Sequence, residues 1–311
     1  MMRWVLALLL VVVAAPVAAQ HKRIAFTFDD VPRGAGAFLS QNERAARLIT
    51  ALRKARIRQA AFFVNPGRLV SGDAAATARL DAYVAAGHVI ANHSFSHPSL
   101  SDVTADAYLA DIDAAEGWLR GRPGYRAWFR YPQLNEGRAD IAKRDAVRAG
   151  LATRGLRNGY VTIDGYDWAL ENLTVEAAKA GKPVDRHALR DLYVETHVGA
   201  AEYFDGLARA TLGRSPVHVL LLHETDLAAL YLGDLVRALR RKGWQIATVD
   251  EAYADPIAAE ASRYDVRSSQ GTLTEMLAWQ KGLPSPRWYP RNDPKVLGDL
   301  FAGRVLKETA Q

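Results

Sequence analysis

Two adjacent carboxylates, Asp29 and Asp30, end the apolar run Arg23-Ile24-Ala25-Phe26-Thr27-Phe28, and Val31-Pro32 follows at once. Carboxylates at the end of a buried strand suit a metal ligand beside a general base, although an isolated Asp-Asp is more often an acidic turn in solvent. Side chains alternate across a strand, so both can serve one pocket only if the chain bends there. Proline donates no ladder hydrogen bond and supplies the stop. Further on, Asn92-His93-Ser94-Phe95-Ser96-His97-Pro98 offers two imidazoles. Pro98 disfavours helix at His97, which predicts a tight turn that converges both rings. Two histidines and a carboxylate from two strand ends suit a zinc-type catalytic site with positions left open to water. The expected ligand set is Asp30, His93 and His97.

Trp128-Phe129-Arg130-Tyr131-Pro132-Gln133 places an arginine among aromatics. Arginine can hold a carboxylate by two parallel hydrogen bonds and keep a catalytic aspartate ionised; an ordinary salt bridge at the rim is the alternative. Residues 160–163 lead into Asp164-Gly165-Tyr166-Asp167-Trp168, and residues 217–222 lead directly to His223. A histidine ending an apolar strand, oriented by a carboxylate, fits a general acid; by itself it equally fits a satisfied rim histidine. His21, His187, His197 and His218 have no partner pattern and His88 begins a strand, so these five are read as structural.

The elements that must position these groups alternate. Apolar runs of strand length occur at 24–28, 60–64, 88–91, 127–131, 160–163, 217–222 and 245–249, with helical periodicity between most of them. Ser40 and Glu43 form a capping box ahead of a helix over 45–55, and Gly87, Gly150 and Gly243 fall where helices would end. The pattern predicts an α/β fold, an irregular (β/α) barrel with about seven parallel strands, whose active site lies at the carboxyl ends of the strands. Every chemically interesting residue named above falls there.

Around that body, residues 1–19 read as a secretory signal peptide: Arg3, then the apolar run from Trp4 to Val13, then Val17-Ala18-Ala19. The run is short for a membrane span, so export to the periplasm or the exterior is expected, with no stable membrane insertion after cleavage. The chain has no cysteine, which excludes a disulfide framework. Its net charge of +6 is spread without a dense basic run and gives no case for nucleic acid. The domain body is expected over 20–254, with residues 169–216 as a helical insertion and 255–311 as a helical extension punctuated by prolines.

Taken together, the chain resembles the polysaccharide deacetylases of carbohydrate esterase family four, the NodB homology domain. Thr27-Phe28-Asp29-Asp30 is similar to the first family motif, His93-Ser94-Phe95-Ser96-His97 to the second, Arg130-Tyr131-Pro132 to the third, Asp164-Gly165-Tyr166-Asp167-Trp168 to the fourth and Leu221-Leu222-His223 to the fifth. The resemblance implies a distorted barrel, a divalent metal that is often zinc, with cobalt, nickel or manganese as alternatives, and hydrolysis of the acetamido group of N-acetylglucosamine-type glycans such as chitin oligomers, peptidoglycan or an exported polysaccharide. It implies Asp29 as base, Asp30, His93 and His97 as metal ligands, Arg130 as the partner of Asp29, and His223 as an acid oriented by Asp167. Tyr131, Pro132, Gln133, Trp168 and Leu221 are the implied substrate contacts.

Two departures matter. The third motif continues Gln133-Leu134 where the family has Tyr-Gly, which removes a stacking tyrosine, and residues 169–216 are longer than the usual path between the fourth and fifth motifs. That insertion is expected to wall one side of the groove. Two other classes share features of this pattern: a two-histidine, one-carboxylate iron oxygenase and an inactive glycan-binding module. The Asp29 and His223 pair argues against the first, and the presence of base, ligands and acid together argues against the second.

Overall fold

The computed structural model describes residues 21–71 and 74–308, so the leader expected over residues 1–19 lies outside the described residues. The strands are β1 (Arg23–Val31), β2 (Ala61–Val64), β3 (Val89–Asn92), β4 (Tyr125–Phe129), β5 (Asn135–Arg138), β6 (Arg157–Asn158), β7 (Ile163–Asp164), β8 (Val217–His223), β9 (Gln245–Ile246) and β10 (Ser269–Gln270). The α-helices are α1 (Gln41–Lys54), α2 (Pro66–Val70), α3 (Ala76–Ala85), α4 (Ala105–Leu119), α5 (Ile141–Thr153), α6 (Asp167–Lys179), α7 (Arg186–Leu212), α8 (Asp226–Arg241), α9 (Val249–Tyr253), α10 (Leu273–Gln280) and α11 (Pro294–Arg304).

Seven parallel strands form a half-closed barrel in the order β6-β4-β3-β2-β1-β8-β7. Along one side β1 pairs with β8 from residue 23 to residue 29; along the other, β9 takes its start and β2 its end. Period-two alternation sorts the side chains. Ile24, Phe26 and Phe28 join Phe62, Val64, Leu220 and Leu222 in a core covered by helices, while Ala25, Ala61, Phe63, Val217 and Val219 face the barrel interior. The small alanines leave that interior room for Trp128, Tyr160 and Tyr253.

The strand runs appear close to their expected places, with three differences. The polar segments β5 and β10 pair antiparallel, a ladder that apolar patterning cannot reveal. The segment after residue 255 is more than a helical extension: Leu273 N–H donates to the Val161 carbonyl at 2.7 Å, and Thr274 Oγ1 to that of Thr162 at 2.9 Å. With Leu273, Met276 and Leu277 in the interior core, it fills the seam between the sheet edges β6 and β7. Residues 169–216 are helical as expected, forming most of α6 and all of α7, but Leu189, Leu192, Tyr193, Ala200 and Phe204 are fully buried in the main core.

Candidate active site

The carboxyl ends of β1, β3, β4, β7 and β8 surround one cavity of about 650 Å³. Parity puts Asp29 on the inner face of β1, and Asp30 would point away from it if the strand ran on. Instead Asp30 takes φ 64°, a left-handed conformation that turns its carboxylate toward the same cavity. The bend required by the sequence is therefore made at Asp30 itself. Six of the nine non-glycine residues with positive φ among the described residues lie on this rim: Asp30, Ser94, His97, Gln133, Leu134 and Tyr166. Such conformations cost on the order of 1–3 kcal/mol each and persist where surrounding structure imposes them.

The surroundings of the histidine turn do impose it. The Asn65 amide donates to the His93 and Ser94 carbonyls, Asn92 Oδ1 accepts from Ser94 N–H, and Asp111 accepts from the N–H groups of Phe95 and Ser96. His97 Nε2 lies 3.1 Å and His93 Nε2 3.8 Å from Asp30 Oδ1. The Arg130 carbonyl lies 2.9 Å from His93 Nδ1, so a proton on Nδ1 leaves the Nε2 lone pair free. Asp30 Oδ1 is itself buried and receives no well-aligned hydrogen bond, its nearest other cation being Arg68 Nη1 at 3.5 Å. Three ligand atoms within 4.8 Å of one another, one of them this carboxylate oxygen, fit a divalent cation. Burial, joined by the neighbouring His97, lowers the His93 pKa well below normal; burial opposes ionisation of Asp30, but its histidine neighbours outweigh it and hold its pKa low. Neutral imidazole and ionised carboxylate are the forms a metal requires.

Asp29 is 3% exposed, and Arg130 Nη1 donates to its Oδ1 at 2.8 Å. Burial raises the Asp29 pKa, with Arg130 and then His223 opposing the rise. A carboxylate moved toward neutrality while still paired to a cation is suited to taking a proton. Arg130 is anchored in turn by Tyr253 Oη at 2.8 Å, the Gly159 carbonyl and the ring of Phe63, 4.0 Å from the guanidinium carbon. Across the cavity Asp167, fully buried at the start of α6, accepts from His223 N–H and pairs with His223 Nδ1, both at 2.7 Å. Burial alone would lower the His223 pKa; the charge and hydrogen bond of Asp167 raise it to about 9. Asp167 thereby favours the imidazolium form of His223.

Residues 17–153 match the family model described as polysaccharide deacetylase. Over these residues, fewer than half of the chain, it is similar to that family. Domains of this family belong to hydrolases of carbon–nitrogen bonds other than peptide bonds. The fold is similar to that of the chitin deacetylase of the fungal pathogen Colletotrichum lindemuthianum, with TM-score 0.52 and 19% identity over 76% of this chain and 89% of that one. A family 4 carbohydrate esterase from Streptomyces lividans in complex with acetate also matches, with TM-score 0.49 and 21% identity over 76% and 97% of the two chains. A family 4 pseudoenzyme from Bacillus anthracis matches with TM-score 0.48 and 20% identity over 75% and 65%. Comparison with curated proteins gives no match.

Not every expected contact reaches this cavity. Gln133, Trp168 and Leu221 line it. Tyr131 does not: its ring is 2% exposed, stacked on Tyr108 and edge-on to Phe129 in a separate apolar cluster. Pro132 is buried beside it, because the left-handed turn at Gln133 and Leu134 sends the chain back under the rim. The insertion 169–216 supplies none of the lining residues, which corrects its expected role as a wall. That wall comes from Gln270, Gly271, Glu275 and Asn292 of the C-terminal segment. Sequence reasoning also missed Arg33, whose Nη1 donates to Asp30 Oδ2 at 2.9 Å, and Tyr253 behind Arg130. Arg33 follows Asp30 by three residues and was open to detection; Tyr253 is too remote in sequence. Of the histidines read as structural, His218 does have a partner, Asp205 Oδ1 at 3.3 Å, and is fully buried beneath the sheet ends.

Proposed function

We propose that this protein is an exported, metal-dependent N-deacetylase that removes acetyl groups from N-acetylglucosamine-type glycans, with zinc as the metal. One observation carries the reading: a carboxylate held by a buried arginine, a three-ligand cluster and a histidine held by a buried aspartate all face one cavity. Asp30, His93 and His97 would hold the cation, which when bound supplies Lewis acidity that makes water acidic and an acyl oxygen electrophilic. Asp29 accepts the proton of the attacking water, and Arg130 keeps that carboxylate oriented toward it. A backbone N–H near Gln133 would share the negative charge that develops on the acyl oxygen. His223 then gives its proton to the departing sugar amine while Asp167 stabilises the imidazolium. Water supplies the oxygen of the released acetate, and no covalent enzyme intermediate is needed.

Export rests on the leader-like residues 1–19. No helix among the described residues is long and apolar enough to cross a membrane. An inactive glycan-binding module on the same fold would be expected to have lost one of these groups, and all are present. Acetate release by the zinc-loaded protein from chitin oligomers, peptidoglycan glycan and acetylated exopolysaccharide is the test. Release from none of them, by protein shown to contain metal, overturns the assignment.

A further inference from the structure

The wall contributed by the C-terminal segment is built into the barrel. Gly271 N–H donates to the Leu134 carbonyl at 3.2 Å and Gln270 Nε2 to that of Gln133 at 3.3 Å, which ties the segment to the loop after β4. Asn292 Nδ2 donates to the Asp164 carbonyl at 2.9 Å, which ties it to the end of β7. The segment thus spans the rim between the loop after β4 and the end of β7, and lines the same cavity as the metal cluster and His223.

Its polar groups have capacity to spare. Asn292 Oδ1 is buried with no hydrogen-bond partner, in a residue that lines the cavity. Glu275 uses Oε2 to cap its own helix, accepting from Thr272 N–H at 2.6 Å and Oγ1 at 2.8 Å, and no bond engages Oε1. Burial raises its pKa to about 7, so near neutrality it can donate as well as accept. Facing these groups, Trp168 and Tyr166, with ring centroids 5.3 Å apart, offer an aromatic side of the kind that packs against the apolar face of a sugar. A cavity of about 650 Å³, with walls from the ends of β1, β3, β4, β7 and β8 and from this segment, is of the size that holds small ligands, ~300–1000 Å³. A groove that passes the interior of a long polymer must be open at both ends.

We propose that the segment makes the site end-directed: it takes one N-acyl amino sugar, free or as the terminal unit of a short oligomer, with the sugar hydroxyls held by Gln270, Glu275 and Asn292. This rests on the deacetylase reading above and specifies its substrate class. A polymer enters only by its end, and internal units do not reach Asp29.

The test is positional. The zinc-loaded protein is given N-acetylglucosamine oligomers from dimer to pentamer, and the deacetylated unit is located by mass spectrometry. The expected result is removal from one terminal unit with at least tenfold preference over internal units. Gln270→Ala, at a half-buried position whose loss does not threaten the core, should raise KM on the dimer about tenfold with a smaller fall in kcat, and the isosteric Glu275→Gln should raise KM in the same direction. Deacetylation of internal units at equal rates, or KM values unmoved in both variants, overturns the proposal while leaving the deacetylase reading intact. Failure to release acetate from any oligomer, alongside hydrolysis of an aryl acetate, overturns the glycan reading and the proposal together.

Discussion

Asp29 and His223 are register partners on the adjacent parallel strands β1 and β8. The proposed base and acid therefore sit on neighbouring strands, about 4.8 Å apart in the sheet, and their separation is set by the sheet's own hydrogen bonds, not by a loop. The metal cluster stands beside them because Asp30 turns out of the strand. Neighbours in sequence thus acquire separate duties.

Asp29→Asn should retain metal and lose on the order of 10²–10⁴-fold in kcat, as loss of a general base does. Asp30→Ala should instead empty the site at metal concentrations that saturate the parent. Metal content by elemental analysis alongside turnover decides the matter, and the reverse pattern would exchange the two roles.

His223→Ala should keep its metal and fail most on amides, whose amine must be protonated to leave. Aryl acetates, which expel a stable aryloxide, should lose much less. Equal losses on both substrate types would remove His223 from the role of acid.

The pH profile follows from Asp167. The His223 pKa is raised to about 9, so the acid form is present at neutrality and turnover falls as pH rises through that value. A bound cation nearby moves the limb downward. The same shift makes the folded state more stable below about 6.5, a contribution lost between that pH and about 9. Asp167→Asn removes the charge that raises the pKa and should move the alkaline limb of kcat to lower pH. A limb that stays in place would show that another group sets it.

Excision of residues 169–216 in favour of a Gly/Ser linker should unfold the protein. Leu189, Leu192 and Phe204 are fully buried in the main core, each worth about 1.5–3 kcal/mol, against a typical total stability of ~5–15 kcal/mol. Near-ultraviolet circular dichroism and thermal melting of the excised protein are the measurements, and a cooperative transition near that of the parent would contradict this.

How far the molecule can be read from its sequence depends on what kind of signal each part carries. β1 and β8 are legible because their apolar alternation is long and ends in chemistry. β6 and β7 are two residues each and leave little pattern, and the ladder of Asn135-Glu136-Gly137-Arg138 with Ser269-Gln270 is polar throughout. Apolar spacing revealed that residues 186–212 form a helix but not what they pack against, and this is why a core element was expected as a wall. The grouping of Asp30, His93 and His97 was legible because only three residues, of two types, from the ends of two strands had to meet. The contributions of Gln270, Glu275 and Asn292 depend on tertiary closure across the whole barrel, which no local pattern encodes.

The closed seam also dictates an order of assembly. Thr27 Oγ1 donates to the Leu220 carbonyl, a contact between residues separated by 193 positions, and the segment that completes the rim is made later still. A ribosome therefore releases β1 long before its partner exists, and pairings so remote along the chain form slowly. The cavity gains that side only once residues 270–292 have been made, so shorter translation products carry Asp29, Asp30, His93 and His97 without it.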